Sequence, residues 1–282
     1  MKFRIYDFPS IFMLFLLIGI VVFFKNRIPN VAELIYIYSL LLLLIGILSL
    51  ERENMKILDF IHTFYPILTI FLIFNSLGKL IECINPKKID TFLINLDYKI
   101  FKVHPTVYLE KFINPLTSNV FYAAYLSYYF MPLLACLPYL SCREKFDKAL
   151  FFITVGYYLS FIGYILFPAI GPRFTLEHLQ TKAVDITGFS HFINHILNFL
   201  ENTKTDAFPS GHTDIALLSL YVIFRYKKKW LGIFLTPVVI LLIISTVFCR
   251  YHYVSDVIAG IIFFVVTVAI CEFILIKCKI CN

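Results

Sequence analysis

An all-α polytopic membrane protein of about eight transmembrane helices is the fold class this sequence predicts, and three observations predict it. Of 282 residues, 60% are hydrophobic and only 15% are charged, against roughly a quarter charged in soluble domains. The charges are gathered into short clusters between long apolar runs. Those runs are continuous rather than alternating, so their backbone hydrogen bonds close within helices, not within a barrel.

Taken in order, the runs at 8–24, 31–50, 57–80, 117–140, 148–167, 211–226, 230–248 and 253–276 supply the eight expected spans, each near the ~20 residues a bilayer requires. The first is short and follows Lys2 and Arg4; without a small-residue cleavage site it reads as an uncleaved span. The third carries His62, Pro66 and Asn75. Between the third and fourth, residues 85–115 mix Ile89, Phe92, Leu93, Leu96, Ile100 and Phe101 with lysines and aspartates at three- and four-residue spacing. That spacing predicts an amphipathic helix lying in the interface. Residues 171–209 form a long polar excursion containing a short apolar stretch at 192–200, and a connection of that length is expected to serve a function. The chain thus divides into N-terminal transmembrane helices (1–84), an interfacial segment (85–115) and a C-terminal transmembrane helix bundle (116–282) that carries the 171–209 loop.

The net charge of +7 suits loops that face anionic lipid headgroups and does not argue for nucleic acid. Arg143, Lys145 and Lys148, then Arg225 and Lys227 to Lys229, then Lys277 and Lys279, alternate with the loops that hold Arg173 and Arg250. Basic clusters stay in the cytoplasm, so both arginines are expected on the extracytoplasmic face. The lysine-rich stretch from Lys79 to Lys111 falls on that outer face too, which snorkelling from an interfacial helix accommodates. The bias toward Ile, Lys, Phe and Asn suggests an AT-rich genome, and with it a bacterial inner membrane. Cys136, Cys249 and Cys271 lie in or at the ends of apolar runs, and no cofactor is expected. Cys278 and Cys281, beside Lys277 and Lys279, are expected to be plain thiols, with palmitoylation the minor alternative.

Three segments at span ends carry the chemistry: residues 167–173, ending in Gly-Pro-Arg173; residues 208–213, with Pro209, Ser210, Gly211 and His212; and residues 250–256, with Arg250, His252 and Asp256. A helix that starts at Ser210 and Gly211 turns free N–H groups and a positive dipole end toward an anion. His252 and Asp256, four apart at a helix start, share a face, so the carboxylate can hold one imidazole nitrogen while the other attacks. Arg173 and Arg250 offer forked donors matched to phosphate oxygens. Taken singly, each has a plain structural reading: a capped helix start, a His–Asp pair near the interface, an arginine anchor. Their assignment to one membrane face favours a shared function.

These motifs resemble the type 2 phosphatidic acid phosphatase superfamily, through the complete Pro-Ser-Gly-His at 209–212 and the His-x3-Asp at 252–256. Gly-Pro-Arg173 and Arg250-Tyr-His-Tyr, with the stretches around Asp97, Pro105 and 125–132, are similar to the branch that includes inositol phosphorylceramide synthases. Two positions depart from the commonest pattern: Leu166 stands where a lysine is usual, and Thr246 where an arginine is usual. The resemblance implies a membrane lipid phosphatase that works through a phosphohistidine. In it His252 is the nucleophile, Asp256 orients it, and His212 serves as acid and then base. Arg173, Arg250, Ser210 and the Gly211 amide would hold the phosphate oxygens. No carboxylate cluster suited to magnesium is visible, so metal independence is expected. The alternative is a lipid headgroup phosphotransferase using the same site; a transporter is disfavoured, because charged mid-span groups are lacking. The expected partners are a lipid phosphate substrate and membrane lipids. His191 and His195, four apart, are expected in a lid rather than a zinc site; His62 and His104 are expected to be structural.

Overall fold

The computed structural model describes residues 2–50, 55–200 and 203–280, with the side chains of 278–280 left aside; Cys278 and Cys281 therefore lie outside the described side chains. In chain order the helices are α1 (Asp7–Phe23), α2 (Val31–Leu48), α3 (Lys56–Ile84), α4 (Asp90–Phe101), α5 (Pro105–Tyr108), α6 (Pro115–Leu126), α7 (Met131–Cys136), α8 (Arg143–Leu166), α9 (Pro172–Thr175), α10 (Gly188–Leu200), α11 (Gly211–Arg225), α12 (Lys229–Phe248) and α13 (Val254–Ile280). The all-α polytopic class holds. Six helical stretches among the described residues are long and apolar enough to cross a membrane: α2, α3, Pro115–Tyr139, α8, α12 and Val254–Lys277.

The other two expected spans form helices that fall short. α1 has 17 residues and α11 has 15, and at 1.5 Å per residue α11 reaches only ~22 Å across a ~30 Å core. α11 packs against α7, α8, α12 and α13 and buries Thr213, Asp214 and Ser219. A helix surrounded by other helices meets protein rather than lipid, so neither its length nor its polarity follows the rule for a lipid-facing span.

Polar contacts pin the two ends of the bundle. At one end Arg4 and Arg143 both bind Asp59; at the other, Asn85 Nδ2 donates to the Ile165 and Leu166 carbonyls. α3 and α8 therefore run parallel, starting beside the basic cluster Arg143, Lys145 and Lys148 and ending at the motif-bearing end. α3 continues through Pro66, and the stretch 115–139 is broken into α6 and α7 by 3-10 turns at Ser127–Phe130 and Leu137–Tyr139.

The amphipathic helix expected in 85–115 exists as α4, yet its two aspartates face inward. Phe92 and Ile100 are exposed while Asp90, Leu93 and Asp97, spaced three and four apart, are buried. Asp90 accepts from the Ile170 and Gly171 amides and from the Tyr253 hydroxyl. Asp97 accepts from the Val254 and Ser255 amides, capping α13. Carboxylates that accept from two or three donors each can be buried at little cost. α4 thereby ties the first motif to the third.

Candidate active site

Three loops converge at this end of the bundle, and their backbones are joined before any side chain is counted. The Ala207 amide donates to the Ala169 carbonyl, linking the first and second motifs. The Ser210 amide donates to the Asp256 carbonyl, linking the second and third. Gly171 sits at φ 85° with the Tyr251 carbonyl 2.5 Å from where a Cβ would stand, a place for glycine alone. Gly211 is pressed against the Tyr164 hydroxyl, which leaves no room for a Cβ.

The histidines meet. His212 Nδ1 lies 3.1 Å from His252 Nε2, and the His212 ring is packed between Tyr125 and Tyr128 at 4.6 and 4.2 Å. His252 Nδ1 donates to the Ala207 carbonyl at 2.7 Å, whereas Asp256 Oδ2 stands 3.5 Å away and accepts the Tyr253 amide at 2.8 Å. The pairing read from the four-residue spacing is thus present but loose, and a backbone carbonyl is the closer orienting group. With Nδ1 of a neutral His252 committed to that carbonyl, Nε2 is an acceptor, and His212 Nδ1–H donates to it. Burial pushes the His252 imidazole toward the neutral form, but the Asp256 carboxylate and the Ala207 carbonyl outweigh it and raise its pKa above the ordinary value.

Both histidines line a cavity of about 290 Å³ with Arg173, Lys204, Asn198 and Asp206 on its wall. Arg173 donates to Asn198 Oδ1 at 2.6 Å and to the Tyr251 hydroxyl at 3.3 Å, with its guanidinium over the Tyr251 ring. α10 lies across this mouth: Ile193 and Leu197 are buried toward Tyr122 and Tyr125, and Asn194 accepts from the Tyr251 hydroxyl. His191, on the outer side of α10, binds Asp185 at 2.9 Å, and no three-ligand metal cluster occurs among the described residues.

Four other expected site residues stand back from the cavity wall. Asp256 lies behind His252. Ser210 is fully buried and its Oγ accepts from the Thr213 amide, capping α11; Gly211 begins that helix. Arg250 departs most from expectation. At φ 67° it turns the chain out of α12, and its guanidinium binds Glu110 at 2.7 Å, Gln180 and the Lys182 carbonyl. Burial lowers its pKa against the opposing pull of Glu110. A buried arginine needs a carboxylate nearby, and Glu110, which also holds the Thr181 amide and hydroxyl, claims it. Lys204 supplies the cavity's second cation in its place. Sequence reading missed Asn198 on α10, and Lys204 and Asp206 in the motif-free segment ahead of α11; Tyr125 and Tyr128 both fell in the stretch 125–132 singled out for resemblance, but without a place at the site.

A sequence model of the PAP2 superfamily matches residues 101–270, more than half of the chain. The chain belongs to the PAP2 superfamily. The matched stretch holds all three motifs and excludes α1 to α3. A PA-phosphatase related-family protein of Dictyostelium discoideum is 27% identical over 176 residues, which cover 54% of this chain and 31% of that relative. This PAP2 chain therefore spans about a third of that relative's length. No solved structure matches it significantly. Family membership makes a phosphatase-type activity plausible on an integral membrane scaffold.

Proposed function

We propose that this PAP2 protein removes a terminal phosphate from a lipid phosphate or diphosphate through a phosphohistidine on His252. The observation that carries the reading is the 3.1 Å contact between His212 and His252 in a cavity flanked by Arg173 and Lys204. His252 Nε2 attacks phosphorus and forms an N–P bond while the P–O bond to the lipid breaks. The His212 Nδ1 proton goes to the departing oxygen. Water then attacks the phosphohistidine, His212 accepts its proton, the N–P bond breaks and phosphate leaves. In-line displacement puts nucleophile and leaving oxygen on opposite sides of phosphorus, so the two imidazoles separate as substrate enters. Arg173 and Lys204 hold the equatorial oxygens, supplying the charge that metal ions provide elsewhere.

The basic clusters at the opposite end of the bundle support an extracytoplasmic site, on the outer face of a bacterial cytoplasmic membrane. The test uses purified protein in detergent with a labelled lipid phosphate, with and without lipid-alcohol acceptors. Free phosphate should form in EDTA and fail to form in micromolar vanadate, a trigonal-bipyramidal mimic. An acid-labile phosphoprotein should be trapped in the wild type and missing in His252→Ala. Label that moves into a new lipid with free phosphate at background would make the protein a headgroup phosphotransferase instead.

A further inference from the structure

A second cavity, about 330 Å³ and predominantly apolar, adjoins the first and shares two of its residues, His212 and Asp206. It runs between α3, α7 and α8. Along α8 its wall is the stripe Phe146, Leu150, Ile153, Tyr157, Phe161 and Tyr164, which covers ~27 Å at the helical rise. α3 faces that stripe from Thr63 to Phe74. Ring contacts fix the register, Phe64 against Phe146 at the far end and Phe74 against Phe161 near the site. The far end stops beneath a polar cluster, where Arg4 binds Thr63 and Asp59 and Arg143 binds Asp59 and Asp147.

The two cavities treat the histidines differently. His252 lines the polar one alone; His212 lines both. Building on the phosphatase reading, in which His212 protonates the departing oxygen, the leaving group must lie on the side of His212, where the apolar groove begins. We propose that this groove holds the hydrocarbon tail of the leaving lipid alcohol, and that α3, which lies outside the family-matched stretch, sets the chain length it accepts. A leaflet contributes about half of the ~30 Å hydrocarbon thickness. A wall of ~27 Å therefore reads a single chain well past the bilayer midplane, and the charged cluster at its base ends the reading.

The experiment follows kcat/KM across octyl, hexadecyl and docosyl phosphates, with a polyprenyl phosphate as a separate arm, at fixed detergent fraction. Wild type should favour the long chains over octyl, and the faster long-chain arm tells a saturated tail from an isoprenoid one. Ile67→Trp, toward the groove's far end, should cut the long-to-short ratio about tenfold or more, as overfilling a fitted apolar site does. Leu68→Trp, exposed on α3 and outside the groove's lining, should keep the wild-type ratio. An unchanged ratio in Ile67→Trp, or an equal fall in Leu68→Trp, overturns the groove. A diazirine-tailed alkyl phosphate, photolysed on wild type and on His252→Ala, gives a readout that needs no turnover. Adducts on residues 63–74 support the proposal, and adducts confined to other helices defeat it. Should wild type release no phosphate from any chain yet label these residues, the phosphatase reading fails while the groove stands.

Discussion

Each end of this helix bundle buries a histidine against an aspartate, and the two pairs have different consequences. At the basic end, His62 Nε2 contacts Asp7 at 3.0 Å, both side chains are fully buried, and Tyr65 donates to the same carboxylate. At the motif end, His252 stands 3.5 Å from Asp256 and is held more closely by a carbonyl. The tighter pair lies outside the family-matched stretch and lines neither cavity. In the looser pair, His252 touches a second histidine, and both rings line a polar cavity. A His–Asp pair is thus a fastening unless the remaining ring nitrogen opens on a space that can hold substrate.

The largest expected effect sharpens that contrast. His252→Ala should lower turnover by at least about a thousandfold, as loss of a nucleophile does, with a smaller fall in thermal stability than at the tighter pair. His62→Ala should do the reverse, because removing one partner from a buried pair costs about 3–5 kcal/mol. Phosphate release and thermal unfolding in detergent check both, and lost turnover with unchanged unfolding in His62→Ala would break the comparison.

Next come the arginines. Arg173→Ala should lose roughly 10²–10³-fold in kcat, the usual cost of removing a donor to developing charge. Arg250→Lys should instead act through structure: a lysine cannot reproduce the fork that joins Glu110, Gln180 and the Lys182 carbonyl. Its unfolding temperature should fall, whereas that of Arg173→Ala should hold. A kcat loss in Arg250→Lys at wild-type stability would return Arg250 to the phosphate site.

Asp256→Asn should cost about 10- to 100-fold, in the range of other groups that orient a functional imidazole, and less than His252→Ala. The Ala207 carbonyl keeps His252 in its tautomer when the carboxylate is neutralised. Equal losses in the two variants would make the 3.5 Å pairing the decisive one.

The smallest effect is in pH. The His252 pKa is raised above its ordinary ~6.5, and attack needs Nε2 unprotonated, so kcat/KM should rise as pH climbs through that raised value. Stability should move the other way. The contribution from protonated His252 is complete below the unfolded pKa and is lost as pH rises through the folded one. An acidic limb that persists unchanged in Asp256→Asn would assign it to another group.

Much of the site could be read from the chain because a motif packs its chemistry into a few consecutive residues. His212, Arg173 and His252 each belong to a short pattern, and all three face one cavity. The contacts that reading missed have no such local mark. Asp90 and Asp97 looked like the polar face of an interfacial helix, since periodicity says which residues share a face and not which face is covered. Arg250 looked like a phosphate ligand because its partner, Glu110, lies 140 residues away in sequence.

Sequence alone determined the membrane class, the helical stretches and the loops that carry reactive groups, because hydropathy and helix-start chemistry are local properties of the chain. Tertiary structure decided what each charged group meets. It set Arg250 on Glu110, turned α4's aspartates inward to hold two motifs, and placed Lys204 beside Arg173. It also let a 15-residue α11 stand in the centre of the bundle. The physical reason is that a charge taken out of water must be met by an opposite charge or by donors within hydrogen-bond reach. Which group meets it depends on distances through space that no local pattern records.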